Sequence, residues 1–173
     1  VLNSINAEID VDCTGEQNSG LFYKGQSPLQ FPAAAAVVAI LDSLQENLQS
    51  KNILVLGQGQ LVGKPVTHLL RSRGLSVTTA DSATPNTESL IKNADVIVSA
   101  TGQGKFITGE KIKQGAIMID AGTSESNAGI VGDVDSESVK SVASFLSPVP
   151  GGVGPVTVAM LLNNVLTVAK KIK

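Results

Sequence analysis

From Lys51 onward, short apolar segments alternate regularly with segments of helical pattern, and no other feature constrains the fold as strongly. Four short segments are rich in β-branched residues and bounded by Gly, Asp or Asn, which predicts buried strands. They are residues 53–56, 76–80, 95–100 and 116–121. Strands that alternate with helices imply right-handed crossovers and a parallel sheet covered on both faces. The sequence therefore predicts a doubly wound α/β domain.

Helices are predicted between these strands and on either side of them. Residues 64–73 have a proline near the first turn and a glycine after the last, and residues 87–93 and 108–113 are predicted as shorter helices. Two longer helices, at 32–48 and 155–173, are apolar on more than one side. Such helices are usually buried, but the predicted strands are too few to cover them, so we expect both to lack the partner surface against which they would pack. Residues 1–31 show no sustained periodicity and are predicted to be loop, with one short strand at most.

The composition excludes several classes of function. A length of 173 residues corresponds to about one domain. The net charge of -2, with no long run of either sign, argues against nucleic acid and anionic membrane as partners. No apolar run reaches the ~20 residues of a spanning helix, and no signal segment opens the chain, so we expect a soluble, cytoplasmic protein. The chain begins at Val1 without an initiator Met, which indicates a fragment, a processed form or an excised segment.

The single cysteine and the single histidine do not suggest a reactive site. Cys13 cannot form an intrachain disulfide and is interpreted as a buried, inert thiol in a reducing compartment. His68 lies within a predicted helix, with no Cys or carboxylate at metal-ligand spacing, so we interpret it as a surface or core residue and predict no metal site. Neither a nucleophile elbow nor a complete P-loop occurs.

A glycine-rich turn follows the first predicted strand directly. Gly57, Gly59 and Gly63 form the pattern G-x-G-x-x-x-G, with Gln58 and Val62 between them. Glycine lets the chain turn sharply and bring backbone N–H groups close to a pyrophosphate at a helix N-terminus. The pattern is one residue longer than the commonest dinucleotide-binding fingerprint, G-x-G-x-x-G. We predict a dinucleotide site in a Rossmann-like domain; the alternative is an ordinary strand-to-helix turn.

Asp81 and Ser82 follow the second predicted strand. Asp81 stands near the spacing of roughly 20 residues expected for the acid that binds the adenosine ribose diol. Two like charges ~4 Å apart at an effective dielectric of ~20 repel by roughly 4 kcal/mol, so a carboxylate here disfavours a 2′-phosphate. The residue favours NAD over NADP, unless it is only a solvated turn aspartate.

Small residues follow the next two predicted strands, at the edge where ligands bind to open α/β sheets. They leave room for the rest of a dinucleotide and are Ala100, Thr101, Gly102, Ala121 and Thr123. A segment rich in Pro and Gly, residues 148–155, leads into the last helix and would direct its N–H groups towards a ligand.

Four motifs, residues 57–65, 94–102, 131–134 and 148–157, together resemble the nucleotide-binding half of the bifunctional methylenetetrahydrofolate dehydrogenase/methenyltetrahydrofolate cyclohydrolase family. The resemblance is strong from Lys51 to the end and weaker before it. It implies that residues 1–31 are a loop-rich remnant of the catalytic lobe and linker, and that residues 32–173 are the NAD(P)-binding domain. It also implies hydride transfer from the methylene group of a tetrahydrofolate derivative to nicotinamide.

The resemblance implies roles for further residues. Gly154 and Thr157 would join the cofactor site, and the folate side would be lined by Asp12, Gly151, Gly152, Val153 and Pro155. The family's cyclohydrolase lysine belongs to a Tyr-x-x-x-Lys arrangement that this chain does not contain, so no catalytic residue is assigned.

Three departures from the family pattern bear on function. Gln58-Gly59 replaces the typical Arg-Ser, and Asp81 replaces a typical His, and both changes favour NAD. Residues 33–35 are all Ala where the family has Cys-Thr-Pro, which removes a hydroxyl near the folate cleft. One alternative is therefore a non-catalytic dinucleotide-binding module. Another is a shikimate-type dehydrogenase, against which residues 148–157 argue. A possible hairpin at 124–135 could pair with a second copy to form a homodimer.

Overall fold

Five parallel strands form one sheet in the computed structural model of the chain, which describes residues 2–126 and 129–171. In chain order they are β1 (Ile53–Leu56), β2 (Val77–Ala80), β3 (Val96–Ser99), β4 (Ile117–Asp120) and β7 (Phe145–Ser147). Their spatial order is β2-β1-β3-β4-β7, and every neighbouring pair is parallel. The predicted Rossmann-like α/β fold and all four predicted strands are confirmed. The short edge strand β7 was not predicted.

Six α-helices accompany the sheet within the described residues. They are α1 (Glu16–Tyr23), α2 (Pro32–Ser43), α3 (Gly63–Ser72), α4 (Thr87–Asn93), α5 (Ser136–Val139) and α6 (Val153–Lys171). Short 3₁₀ turns occur at Leu2–Ser4, Leu48–Ser50 and Gly109–Lys111. Two short strands, β5 (Ser124–Ser126) and β6 (Gly129–Val131), form a separate antiparallel hairpin within the segment where one was expected.

Three predictions about helices are corrected by the structure. The helix predicted to reach residue 48 ends at Ser43, because Gln45 has a left-handed backbone with φ of 54°. Residues 108–113 form only the 3₁₀ turn Gly109–Lys111. Residues 16–23, predicted as loop, form α1, which buries only Asn18 and Phe22 and so leaves almost no periodic signal in the sequence.

The sheet is covered on both faces, as the alternating pattern predicts. Residues of α2, α3 and α6 pack on one face against Ile53, Val55, Val96, Val98, Ile117 and Ile119. The sheet residues on the other face are Leu54, Leu56, Ile97 and Met118. They pack against Ile91, Ile107, Ile112 and Val139. The two layers leave the carboxyl ends of the strands as one continuous edge.

The described part of residues 1–31 packs into the same core as α2, α3 and α6. Asn164, which is 4% exposed, donates from Nδ2 to the carbonyl oxygens of Val11 and Gln30, each at 2.7 Å. Cys13 is fully buried, which confirms the predicted burial of its thiol. Burial raises the pKa of its thiol to about 12, and the charges of Asp10 and Asp12 add to the rise.

The two flanking helices differ in how far they are buried. Helix α2 buries most of its residues, but α6 buries only Val153, Asn164 and Val168. The expectation of an uncovered helix therefore fits α6 over the described residues 153–171 and is wrong for α2; residues 172 and 173 lie outside the described part of the chain. By length and composition, with 19 residues and a mean hydropathy of 1.3, α6 could cross a membrane, a test that core helices of soluble proteins also meet.

Candidate functional site

The carboxyl ends of β1, β2 and β3 open onto a cavity of about 580 Å³. Seven residues predicted for the cofactor line it together: Gly57, Gln58, Gly59, Asp81, Ser82, Ala100 and Thr101. Sequence reasoning missed other lining residues, among them Thr84, Thr87, Gln103 and Phe106. A volume of this size suits a small organic ligand or cofactor. The geometry therefore brings the three strand-end motifs into one site.

The loop between β1 and α3 is held by close backbone contacts that only glycine allows. Gly57 has φ of 82°, and a Cβ there would overlap the carbonyl oxygen of Ala100. A Cβ on Gly63 would overlap the carbonyl oxygen of Gly57 and lie 2.8 Å from its carbonyl carbon. Gly59, in contrast, has nothing within 4 Å of its Cβ position and faces open space. Two glycines thus shape the loop, while the third leaves room beside it.

Helix α3 begins at Gly63, directly after this loop. The amide of Lys64 donates to the carbonyl oxygen of Gly59 at 3.1 Å, and the amide of Val66 donates to that of Val62 at 2.8 Å. Val62 packs against the core rather than lining the cavity. A helix N-terminus carries partial positive charge, so the loop and first turn of α3 fit the phosphate groups of a dinucleotide.

Asp81 lies exposed at the rim of the cavity, in a turn after β2. Its Oδ1 accepts hydrogen bonds from the amide of Ala83 and the hydroxyl of Thr84, both at 3.0 Å. The Thr84 hydroxyl in turn accepts from the amide of Asp81 at 3.0 Å. The residue is therefore a solvated turn aspartate and also part of the cavity wall, with its carboxylate held in a defined orientation.

Two buried carboxylates lie behind the ends of β3 and β4. Oδ2 of Asp133 accepts from the Ser99 hydroxyl at 2.6 Å and from the Thr101 amide at 2.7 Å. Asp120 accepts three backbone amides at 3.0–3.1 Å, from Gly122, Asp133 and Val134. Burial raises the pKa of Asp120 to about 6, although the three amide hydrogen bonds act to lower it. The charge on Asp133 adds to the rise.

Neither carboxylate was predicted as a site residue. Asp120 is the last residue of β4, and Asp133 falls in the motif at 131–134 that contributed to the family resemblance. Both were therefore visible as acids at a strand end and in a motif, although their pairing with distant backbone amides was not.

The remaining predicted site residues lie outside this cavity. Gly102 has φ of 69° and accepts a hydrogen bond on its carbonyl oxygen from the Ser124 hydroxyl at 2.7 Å. Ala121 is half-buried and Thr123 is exposed. At the start of α6, Val153 is buried, while Gly151, Gly154 and Pro155 are exposed and Gly152 and Thr157 are half-buried; Asp12 is exposed. Their roles remain predictions.

A second cavity, of about 890 Å³, lies between α1 and α3. It includes Gln58, which also lines the first cavity, and His68. The His68 ring lies 5.1 Å from the ring centre of Phe22 and 5.2 Å from that of Tyr23. His68 is thus a half-buried residue in an aromatic cluster, in line with its interpretation from the sequence.

The fold and the strand-end cavity define an NAD(P)-binding domain of the doubly wound α/β class. The sequence model of one family, described as tetrahydrofolate dehydrogenase/cyclohydrolase, NAD(P)-binding domain, matches residues 32–173. The chain belongs to this family. The match removes the shikimate-type alternative.

Similar proteins agree with this assignment. The chain is 41% identical over 173 residues to the bifunctional protein FolD of Brachyspira hyodysenteriae, covering 99% of this chain and 62% of that protein. It is 42% identical over 168 residues to the bifunctional protein FolD of Fusobacterium nucleatum, covering 96% of this chain and 59% of that protein. The chain thus spans about three fifths of the length of these relatives.

Solved structures show the same architecture. The FolD methylenetetrahydrofolate dehydrogenase/cyclohydrolase of Campylobacter jejuni aligns with a TM-score of 0.91 at 33% identity, over 99% of this chain and 62% of that chain. The Trypanosoma brucei enzyme, crystallised with NADP and an inhibitor, aligns with a TM-score of 0.89 at 38% identity, over 98% of this chain and 61% of that chain.

Proposed function

We propose that this chain is the part of a 5,10-methylenetetrahydrofolate dehydrogenase that binds the nicotinamide dinucleotide and orients it towards a tetrahydrofolate derivative held by another lobe. The observation that carries this proposal is the cavity at the ends of β1–β3, whose wall includes Asp81 and the first residues of the glycine-shaped loop that leads into α3. When bound, the dinucleotide supplies the hydride acceptor. The chain's own residues supply binding and orientation, which lower the barrier by fixing the reacting groups in place.

Each part of the site has a proposed task. The loop from Gly57 to Gly63 and the first turn of α3 bind the phosphates, because their N–H groups and the helix dipole favour negative charge. Asp81 accepts hydrogen bonds from the adenosine ribose diol. The turn at Ala100–Gly102, together with Ala121, Thr123, Gly154 and Thr157, positions the nicotinamide half.

The folate side is proposed to involve Asp12 and the segment from Gly151 to Pro155. In the full-length protein these residues would face the pterin, while cyclohydrolase chemistry would use a lysine supplied by the other lobe. The isolated chain of 173 residues is therefore proposed to bind dinucleotide with absent or very weak turnover. The full protein is proposed to be cytoplasmic.

The cofactor is proposed to be NAD rather than NADP. Gln58 stands where an arginine would bind a 2′-phosphate, and the amide carries no charge. The Asp81 carboxylate points from a fixed turn at the cavity rim and would repel that phosphate. The roughly 4 kcal/mol for two such charges ~4 Å apart is an upper value, because Asp81 is exposed and solvent screens it.

Isothermal titration with NAD⁺ and NADP⁺ tests both statements. The wild-type chain should bind NAD⁺ more tightly, and Asp81→Asn should bring NADP⁺ affinity up by about tenfold, or about 1.4 kcal/mol. Glu88→Gln is the matched control, because Glu88 is exposed on α4 and does not line the cavity. If neither nucleotide bound at millimolar concentration, the proposed function would be wrong; tighter binding of NADP⁺ by the wild type would reject only the cofactor preference.

A second proposed property is homodimer formation through the hairpin of β5 and β6. The supporting observation is Ile130, which is 62% exposed on β6 beside the exposed Gly129. Sedimentation of the wild-type chain and of Ile130→Asp tests it. We expect a dimer for the former and a monomer for the latter; a monomeric wild type at high concentration would contradict the proposal.

A further inference from the structure

Asp133 is buried with part of its hydrogen-bonding capacity unused. Its side chain is 0% exposed, and its Oδ1 has no hydrogen-bond partner among the described residues. Oδ1 and the carboxyl carbon lie where a Cβ on Gly122 would stand, so the carboxylate packs against the glycine backbone. An unsatisfied buried polar atom costs about 1–3 kcal/mol, more for a charged group. An arrangement that costs stability in this way points to a role other than stability.

The carboxylate of Asp133 is nevertheless held firmly. Its own amide donates to Oδ1 of Asp120 at 3.1 Å, and its carbonyl oxygen accepts from the amide of Ile107 at 3.0 Å. The next amide, that of Val134, donates to Oδ2 of Asp120 at 3.0 Å. The backbone of Asp133 is thus bound on both sides, which leaves its side chain little freedom to move.

The firmly held carboxylate is bonded to the wall of the cofactor cavity. Oδ2 accepts the Thr101 amide at 2.7 Å, and Thr101 and Ala100 line the cavity. A charged acceptor makes this bond stronger than one between neutral groups. The Ser99 hydroxyl, at 2.6 Å from the same oxygen, holds the carboxylate from the strand side without contacting the cavity itself.

We infer that Asp133 is a positioning residue for the dinucleotide: through the Thr101 amide it fixes the turn after β3 in the conformation that contacts the cofactor beyond its adenosine half. The inference rests on the proposed function, because it requires a dinucleotide in this cavity. It assigns a binding effect to a residue that does not line the cavity. It also distinguishes Asp133 from Asp120, whose hydrogen bonds go to backbone at residues 122, 133 and 134 and not to the turn.

The main test compares Asp133→Asn with Asp10→Asn, the second being a matched loss of one buried carboxylate that also accepts backbone amides. Titration with NAD⁺ and with AMP reports on the whole dinucleotide and on the adenosine half separately. We expect Asp133→Asn to weaken NAD⁺ binding by about tenfold while AMP binding changes less than twofold. Asp10→Asn should lower thermal stability and leave the ratio of the two affinities unchanged, because Asp10 has no hydrogen bond to Asp133 or to the turn after β3 and does not line the cavity. Equal weakening of NAD⁺ and AMP by Asp133→Asn, or no change in either, would overturn the inference.

Two further measurements keep the test decisive if Asp133→Asn does not fold. Ser99→Ala removes one bond to the carboxylate and keeps the Thr101 bond, so NAD⁺ affinity should stay within threefold of the wild type. In the wild type, hydrogen exchange at the Thr101 amide should be slow, because a buried carboxylate accepts it. Rapid exchange of that amide in the folded protein would refute the inference. A wild type with a protected Thr101 amide and no NAD⁺ binding would instead refute the proposed function.

Discussion

Replacing Gly63 with Ala tests the glycine-shaped loop most directly, because two physical effects of the substitution have opposite signs. Gly63 is the first residue of α3, and helix propensity alone favours Ala over Gly by up to about 1 kcal/mol. However, the new Cβ would overlap the carbonyl oxygen of Gly57 and lie 2.8 Å from its carbonyl carbon, both backbone atoms. Backbone cannot rotate away as a flexible side chain can, so the Gly57–Gln58 peptide must shift.

The size of the effect follows from these contacts. Overpacking costs typically 1–3 kcal/mol, and contact with backbone places this case at the upper end, for a net loss of about 2–3 kcal/mol. In a domain of this size, 1 kcal/mol changes Tm by roughly 2–4 °C, so we expect a fall of about 4–12 °C. Because the displaced peptide lines the cavity, Kd for NAD⁺ should rise by about tenfold or more.

Gly59→Ala in the same loop is the control. Nothing lies within 4 Å of its Cβ position, and its φ is not positive, so unfolding stability should hold or rise by up to about 1 kcal/mol. Thermal and urea unfolding, followed by titration of the folded fraction with NAD⁺, measure both variants. If Gly63→Ala matched Gly59→Ala in Tm, or exceeded the wild type, the close packing of the loop on itself would be refuted.

Three further predictions concern buried groups. The pKa of Asp120 in the folded chain, about 6, lies above its ordinary value of 3.8, so folding takes up a proton between these pH values. The free energy of unfolding should therefore fall by about 3 kcal/mol as the pH rises from below 4 to above 6. Urea unfolding across this pH range measures that fall. Cys13 should resist thiol reagents at pH 8 in the folded chain and react on denaturation; rapid labelling without unfolding would contradict its burial. Asn164→Ala should cost about 2–4 kcal/mol and expose the segment before α2 to limited proteolysis, because the carbonyls of Val11 and Gln30 lose their donor; an unchanged digestion pattern would show that this contact does not hold the segment.

The strands and the glycine-rich loop were predictable because their signals are local. β1, β3 and β4 are runs of apolar, mostly β-branched residues buried on both faces. The loop is recognisable from the three glycines that begin directly after β1. The seven predicted residues that line the cavity also follow from one rule, that parallel strands end at a common edge.

What escaped prediction depends on contacts between distant parts of the chain. Asp133 acquires its surroundings from Ser99 and Thr101, more than thirty residues earlier, and no local pattern specifies that pairing. Helix α1 is stabilised by the packing of Phe22 against Phe31 and His68 rather than by an amphipathic pattern of its own. The strand β7 is three residues long and pairs on one side only, with β4.

The exposed apolar side of α6 has a consequence for how the chain behaves in solution. Four apolar side chains at helical spacing form a continuous apolar strip on α6, and each is 44–63% exposed. They are Val158, Leu162, Val165 and Leu166. At a net charge of only -2, electrostatic repulsion between molecules is weak and does little to keep such strips apart. Preparations of this chain alone should therefore scatter light increasingly with concentration and with added sulfate, which strengthens apolar association. Leu162→Lys should reduce that scattering without altering the strand-end cavity, which Leu162 does not line.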